Sequence, residues 1–125
     1  MKSFPIILIV LLTAVFFIQK NSGGYKSISQ DKAKEMMDNG NVIILDVREK
    51  SEYASGHIKG AVLLPVGTIN ADTASGVISS KNSVVLVYCR SGNRSKKASA
   101  ALDKLGYTNI YEFGGITSWK YGVEY

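Results

Sequence analysis

The chain has 125 residues, one cysteine, one histidine and a formal net charge of +5 at pH 7. Its length fits a single domain with its own hydrophobic core and is too short for two. One cysteine excludes an internal disulfide, and one histidine without cysteines spaced around it leaves no metal-ligand pattern, so neither a metal nor another cofactor is expected. The lysines are scattered with no interleaved aromatic residues, a pattern that does not indicate nucleic-acid binding.

Residues 1–24 form a predicted export segment. Lys2 precedes fifteen uncharged residues, Phe4–Ile18, and small polar residues follow up to Gly24. This order is typical of a secretory signal peptide. The apolar stretch is short for a membrane span, which needs about 20 residues. A bilayer can become thinner around a short span, so an uncleaved membrane anchor is an alternative to a cleaved signal peptide. We expect an exported protein, periplasmic or extracellular, that contacts a membrane only through this segment and stays anchored if it is not cleaved.

Residues 25–125 alternate between helical and strand patterns. Four apolar runs predict strands: Val42–Leu45, Ala61–Leu64, Val84–Tyr88 and Asn109–Phe113. Helices are predicted after an N-cap at Ser29, around Glu52-Tyr53, weakly near Ile69–Ser75, through Ala98 to Leu105, and last from Ile116 to Trp119. The connections are too long for hairpins, so the pattern predicts a parallel α/β sheet with helices on both faces.

The only cysteine, Cys89, directly follows the apolar run Val84–Tyr88 and opens the stretch Cys-Arg-Ser-Gly-Asn-Arg-Ser. A structural cysteine would lie inside the apolar run, whereas this one begins a small, polar, cationic loop before a helix. The helix N-terminus supplies unpaired N–H groups and partial positive charge, and two arginines add full charges. Each favours the thiolate, so we interpret Cys89 as a nucleophile.

Three groups follow predicted strands: Asp46, Cys89 and the pair Gly114-Gly115. In a parallel α/β sheet, ligands bind in the crevice beyond the carboxyl ends of the strands. We therefore expect these groups to converge at one edge of the sheet.

The chain resembles a single-domain rhodanese, a sulfurtransferase, over roughly Tyr25 to Tyr121. The resemblance rests on the order and spacing of several motifs. The matching residues are Leu45-Asp46-Val47-Arg48 with Glu49 and Glu52-Tyr53, Gly56-His57-Ile58 with Gly60-Ala61 and Pro65, the loop Cys89–Ser95, and Gly114-Gly115 with Trp119. The resemblance implies a rhodanese-like parallel sheet of about five strands. It also implies a small-molecule sulfur donor and a thiol or cyanide as acceptor.

The resemblance assigns Cys89 as the residue that carries a sulfane sulfur as a persulfide. It implies a substrate-binding cradle made of Arg90, Ser91, Gly92, Asn93 and Arg94, in which Arg94 contacts an anionic donor such as thiosulfate and Arg90 helps by charge. Asp46, Arg48 and Glu49 are then structural support beside the loop. His57 is interpreted as a packing or turn residue.

Two other classes of function stay open. A related phosphatase or arsenate reductase loop has its arginine six positions after the cysteine, whereas Arg94 lies five after Cys89 and position 95 is serine. The smaller cradle suits a single sulfur better than a phosphate. A non-catalytic binding module commonly lacks the cysteine, which is present here. A redox role lacks a second cysteine to resolve a disulfide.

Overall fold

A computed structural model describes residues 24–125, so the predicted export segment lies outside the described residues apart from Gly24. The described part contains a five-stranded sheet in the order β1-β5-β4-β2-β3, and every neighbouring pair is parallel. The strands are β1 (Lys26–Ser27), β2 (Ile43–Asp46), β3 (Val62–Leu63), β4 (Val84–Cys89) and β5 (Asn109–Gly115). The predicted parallel α/β fold is confirmed.

The helices connect the strands as crossovers. They are α1 (Gln30–Asn39), α2 (Lys50–Ala54), α3 (Ala71–Val77) and α4 (Asn93–Lys104), with short 3-10 turns at Val66–Thr68 and Ile116–Ser118. Ser29 caps α1 as predicted, because its side chain accepts the N–H of Lys32. No helix among residues 24–125 is both long and apolar enough to cross a bilayer.

The core has two parts, one on each face of the sheet. Alternate residues of β4 point to opposite faces, so Val85 and Val87 pack with Ala98 and Leu102 of α4. On the other face, buried residues of β4 and β5 pack with α1 and with the turn after α2: Leu86, Tyr88, Phe113, Ala33 and Ile58. Burial on both faces explains why β4 is a continuous apolar run.

The structure corrects the sequence predictions at three places. The predicted loop Cys89–Arg94 is partly helix, because β4 includes Cys89 and α4 begins at Asn93. The predicted final helix from Ile116 to Trp119 is only a 3-10 turn. The backbone becomes extended at Trp119, with ψ 122°. The N–H and hydroxyl of Thr117 bind the Arg90 carbonyl at 3.2 and 3.1 Å, which ties this segment to the loop.

The third correction is the edge strand β1, which carries no apolar run of its own. Its two residues, Lys26 and Ser27, are both exposed and pair with Tyr111 and Glu112 of β5. The strand exists because a tertiary partner offers a free edge, which a local pattern does not reveal.

Candidate active site

Cys89 is the last residue of the central strand β4, and its side chain is almost fully buried, with 1% exposed. Only three residues, Arg90–Gly92, separate it from α4. Gly92 is the N-cap of that helix with φ +117°, a conformation that favours glycine. The tight turn directs the Gly92 N–H at Cys89 Sγ at 3.0 Å.

The surroundings of the sulfur favour its anionic form. Burial raises the pKa of the Cys89 thiol, but hydrogen bonds from the Ser95 hydroxyl and from the N–H groups of Ser95, Gly92 and Ser91 lower it, and the net pKa is below the ordinary value. The sulfur thus has apolar residues on one side and inward-facing N–H groups on the other. Such a site stabilises a negative charge on sulfur.

Arg94, the second residue of α4, is held by a carboxylate. Its Nη1 and Nη2 donate to the two oxygens of Glu52 in α2 at 2.7 and 2.9 Å. The Arg94 hydrogen bonds lower the pKa of Glu52 to about 2, and Glu52 in turn raises the pKa of Arg94. The guanidinium therefore braces α2 against α4 as well as contributing charge to the loop.

Glu49 supports this brace from the start of α2. It is the N-cap residue, its side chain accepts an N–H of the first turn, and its own N–H donates to Glu52 Oε1 at 3.0 Å. This capping box fixes Glu52 where Arg94 reaches it. Glu52 belongs to the matched motif, but its partner lies 42 residues away, so no local pattern in the sequence identifies it as a site residue.

Arg90 differs from Arg94. Its side chain is exposed, and within residues 24–125 its guanidinium has neither an ion pair nor a hydrogen bond. Its carbonyl, by contrast, is anchored by Thr117. Asn93, also exposed, opens α4. The cation beside the cysteine is thus free to meet an anion from solvent.

Gly115 lets β5 pass directly under the loop. A Cβ there would lie 2.0 Å from the Arg90 carbonyl oxygen, so no other residue fits without moving the backbone. A register shift brings it there: Val87 pairs with Glu112, whereas Cys89 pairs with Gly115. The extra residue is a β-bulge, a device that redirects a strand next to a site. Gly114-Gly115 therefore meets Cys89, as the sequence predicts.

Asp46 and Arg48 form a buried ion pair, with Arg48 Nη2 at 2.7 Å from Asp46 Oδ2. Tyr88 Oη donates to the same carboxylate at 2.6 Å, and Arg48 also donates to the Gly56 carbonyl. These bonds tie β2 and β4 to the turn after α2, and none of them reaches residues 90–95. His57 stacks on the ring of Tyr53, with 3.8 Å between centroids.

Glu112 and Ser95 also belong to the site. Ser95 ends the matched loop Cys89–Ser95, whereas the sequence gives no indication of Glu112. Glu112 of β5 is buried with 2% exposed, and Ser95 of α4 is fully buried. The Ser95 hydroxyl lies 2.8 Å from Glu112 Oε1 and 3.5 Å from Cys89 Sγ. Within the described residues, no group of three or more acidic, histidine or cysteine side chains is arranged to hold a metal ion.

Residues 29–121 match the model of the rhodanese-like domain family, and the chain belongs to this family. The thiosulfate sulfurtransferase PspE of Escherichia coli is 35% identical over 72 residues, which cover 58% of this chain and 68% of that protein. A crystal structure of a rhodanese-like domain protein from Staphylococcus aureus superposes with a TM-score of 0.68 at 34% identity, covering 79% of this chain and 96% of that one.

A relative of different name shows that the domain occurs in other settings. The tRNA uridine(34) hydroxylase of Buchnera aphidicola is 32% identical over 108 residues, which cover 83% of this chain. The match spans only 34% of that hydroxylase. Family membership therefore establishes the domain and leaves the reaction to be argued from the site.

Proposed function

We propose that this protein is a thiosulfate sulfurtransferase that carries a sulfane sulfur on Cys89. The observation that supports this most directly is the Gly92 N–H pointing at Cys89 Sγ at 3.0 Å, in a turn whose other N–H groups also lower the pKa of the thiol. A ready thiolate needs no separate general base, and no histidine contacts the loop among the described residues. The relative PspE is named for the same reaction.

The reaction takes place in two displacements. Cys89 Sγ attacks the outer sulfur of thiosulfate, the new S–S bond forms as the old one breaks, and sulfite leaves with the bonding electron pair. The enzyme holds Cys–S–S⁻, whose charge the N–H groups of the turn stabilise as an oxyanion hole stabilises oxygen. A thiol or cyanide then attacks the outer sulfur and restores the thiolate. Such a covalent shuttle gives ping-pong kinetics.

The two arginines have different roles in this proposal, and these roles are the reverse of those that the resemblance implies. Arg90 is exposed and free of ion pairs among the described residues, so it meets the dianionic donor first. Arg94 already shares both of its terminal nitrogens with Glu52, so it keeps the helix and the loop in place and adds charge. The ion pair of Arg94 with Glu52 also disfavours the phosphatase alternative, because a phosphatase needs a guanidinium that is free to bind a phosphoryl group through two nitrogens.

The test is a thiosulfate and cyanide assay that follows thiocyanate formation. We expect turnover by the full chain and none by Cys89→Ser, which replaces the thiol with a hydroxyl of similar size and should melt at the same temperature. Phosphate release from an aryl phosphate is measured in parallel. Thiocyanate formation by Cys89→Ser, or hydrolysis of the aryl phosphate without sulfur transfer, would overturn the proposal.

We also propose that the protein is exported, on the sequence pattern of residues 1–24 alone. Cell fractionation and N-terminal sequencing of the recovered protein test this. A chain outside the cytoplasm that begins near Tyr25 indicates a cleaved signal peptide, and a full-length chain in the membrane fraction indicates an anchor. Full-length soluble protein in the cytoplasm would contradict export.

A further inference from the structure

A buried carboxylate lies one side chain away from the reactive sulfur and has no role in the steps above. Glu112 accepts the Ser27 hydroxyl on Oε2 at 2.9 Å, and it accepts the Gly114 N–H and the Ser95 hydroxyl on Oε1, each at 2.8 Å. Lys96 Nζ lies 3.8 Å from Oε1. The carboxylate is therefore well supplied with donors and is positioned as an anion.

The Ser95 hydroxyl has one hydrogen and more than one acceptor within reach. Glu112 Oε1 lies at 2.8 Å and the Gly92 carbonyl at 2.9 Å, whereas Cys89 Sγ lies at 3.5 Å. A hydroxyl donates only once, and a charged oxygen at the shorter distance is the strongest acceptor. With its hydrogen on Glu112, Ser95 offers the sulfur only lone pairs. In that orientation it accepts the S–H of the thiol, and it lowers the thiol pKa only when its hydrogen turns from Glu112 to the sulfur.

We propose that Glu112 is a positioning residue that holds the Ser95 hydroxyl away from Cys89 and so keeps the thiol protonated to a higher pH than the loop alone would. Two effects of Glu112 both disfavour the thiolate. The hydrogen that would stabilise the thiolate is withheld, and a buried negative charge disfavours a second one nearby. When the thiol ionises, its proton leaves to solvent, and the Ser95 hydrogen must leave Glu112 to reach the sulfur.

This arrangement suits a sulfur that has to attack and then carry a second sulfur. Nucleophilicity of a thiolate falls as its pKa falls, and the best attacking thiol has a pKa near the ambient pH. The charged groups around Cys89 come from each neighbouring element: Arg90 in the turn, Arg94 and Lys96 in α4, Glu52 in α2 and Glu112 in β5. The N–H groups lower the thiol pKa and Arg94 interacts favourably with the thiolate; in this proposal Glu112 opposes them.

The proposal is tested by the pH midpoint of thiolate formation in Glu112→Gln. The chain has one cysteine, so the ultraviolet absorbance of the thiolate, read against the matching Cys89→Ser protein, reports this sulfur alone. Glutamine keeps the shape, removes the charge, and can donate to Ser95, which frees the Ser95 hydrogen for the sulfur. We expect the midpoint to fall by about one pH unit. An unchanged or higher midpoint would overturn the proposal.

A matched control removes the same charge elsewhere. Glu35→Gln alters an exposed carboxylate of α1 that pairs with Lys32, and we expect its midpoint to equal that of the wild type. A fall equal to that of Glu112→Gln would show that net charge alone is responsible and would overturn the proposal. Because this readout does not involve sulfur transfer, it distinguishes failure of this inference from failure of the sulfurtransferase proposal.

A second comparison isolates the Ser95 hydrogen. In the wild type, Ser95→Ala removes a hydroxyl already committed to Glu112, so the midpoint changes little. In Glu112→Gln it removes a donor to the thiolate, so the midpoint rises. Equal shifts in the two backgrounds would contradict the proposal, because independent groups contribute additively.

If Glu112→Gln does not fold, Ser27→Ala decides the matter. It removes the other hydroxyl donor of Glu112 at the exposed edge strand and leaves the loop untouched. The carboxylate then holds the Ser95 hydrogen more strongly, and we expect the midpoint to rise by a few tenths of a pH unit. No rise would overturn the proposal.

Discussion

The reactivity of Cys89 depends on the direction of a few hydrogens around one sulfur. Burial opposes the thiolate, but the Ser95 hydroxyl and the N–H groups of Ser95, Gly92 and Ser91 together favour it, so the net pKa is lowered. The charge of the guanidinium groups is distributed unequally, since Arg94 is shared with Glu52 whereas Arg90 is free among the described residues. We therefore expect Arg90 to act mainly in binding the donor and Arg94 to act mainly in stabilising the loop.

The two arginines therefore predict different kinetic effects. Arg90→Met should raise the KM for thiosulfate about tenfold, the worth of one charge-assisted contact, and leave kcat nearly unchanged. Arg94→Met should lower kcat and the melting temperature as well, because Glu52 loses its partner. Steady-state kinetics and thermal melts check both. Equal effects of the two substitutions would contradict the division of roles.

Among the helices and strands, two contacts fix the shape of the site. The ion pair of Arg94 and Glu52 joins α4 to α2, and the bulge of β5 places Gly115 against the carbonyl of Arg90. Neither contact involves the sulfur itself. Each contact helps to hold the turn Arg90–Gly92 with its N–H groups pointing inward. Loss of either contact should therefore lower the stability of the protein.

Gly115→Ala should be strongly destabilising. The added Cβ would lie 2.0 Å from the Arg90 oxygen, with backbone atoms as its nearest neighbours, so the loop must move. We expect a loss of about 2–3 kcal/mol in the free energy of unfolding, in the range of overpacked sites, together with loss of sulfur transfer. Urea denaturation measures it.

The matched control is Gly76→Ala in α3, where a Cβ meets nothing within 4 Å. Alanine is favoured over glycine inside a helix, so this variant should gain about 0.5–1 kcal/mol. If Gly115→Ala were as stable as Gly76→Ala, the close approach of β5 to the loop would be wrong.

The ion pair between Arg94 and Glu52 predicts a pH dependence. Its hydrogen bonds lower the pKa of Glu52 from 4.5 to about 2, so the folded state binds this proton less tightly than the unfolded state. The contribution is therefore complete above pH 4.5 and is lost as the pH falls through about 2.

As the pH falls over this window, the free energy of unfolding of the wild type should decrease by about 1 kcal/mol more than that of Glu52→Gln. This figure allows for solvent screening of a partly exposed pair. Urea midpoints of both proteins at about pH 5 and about pH 2.5 test the difference. Parallel changes in the two proteins would contradict it.

In the molecule as a whole, a buried polar network supports the carboxyl ends of β2 and β4 next to the site. The buried pair of Asp46 and Arg48, with the Tyr88 hydroxyl and the Gly56 carbonyl, joins β2, β4 and the turn after α2. Removal of one partner of a buried pair leaves a charge without compensation.

Arg48→Met should therefore cost about 3–5 kcal/mol in the free energy of unfolding. The Asp46→Asn, Arg48→Met double variant, which buries no net charge, should be more stable than Arg48→Met alone. Urea denaturation of the three proteins measures this. A double variant less stable than Arg48→Met would show that the pair is not held as the structure has it.

The sequence predicts those parts of the fold that depend on local patterns. Apolar runs mark β2, β4 and β5, Ser29 marks the start of α1, and the position of Cys89 after a buried strand marks the site. Contacts between distant residues leave no such mark. Glu52 meets Arg94 across 42 residues, and Ser95 meets Glu112 across 17. The edge strand β1 exists only through its pairing with β5.

At the predicted final helix, a local pattern is present in the sequence but the structure does not form the element that it predicts. Ile116 and Trp119 have helical spacing, but the segment is a single 3-10 turn followed by extended backbone at Trp119. Side chains three residues apart also share one face of a 3-10 turn, so this spacing does not distinguish the two.

The most direct test of the sulfurtransferase proposal is the intact mass of the protein after exposure to thiosulfate, before any acceptor is added. The proposal predicts a gain of one sulfur atom, located on Cys89 by peptide mapping, absent from Cys89→Ser and reversed by cyanide with release of thiocyanate. An unchanged mass under conditions in which Cys89 is reduced, or a gain on another residue, would contradict it.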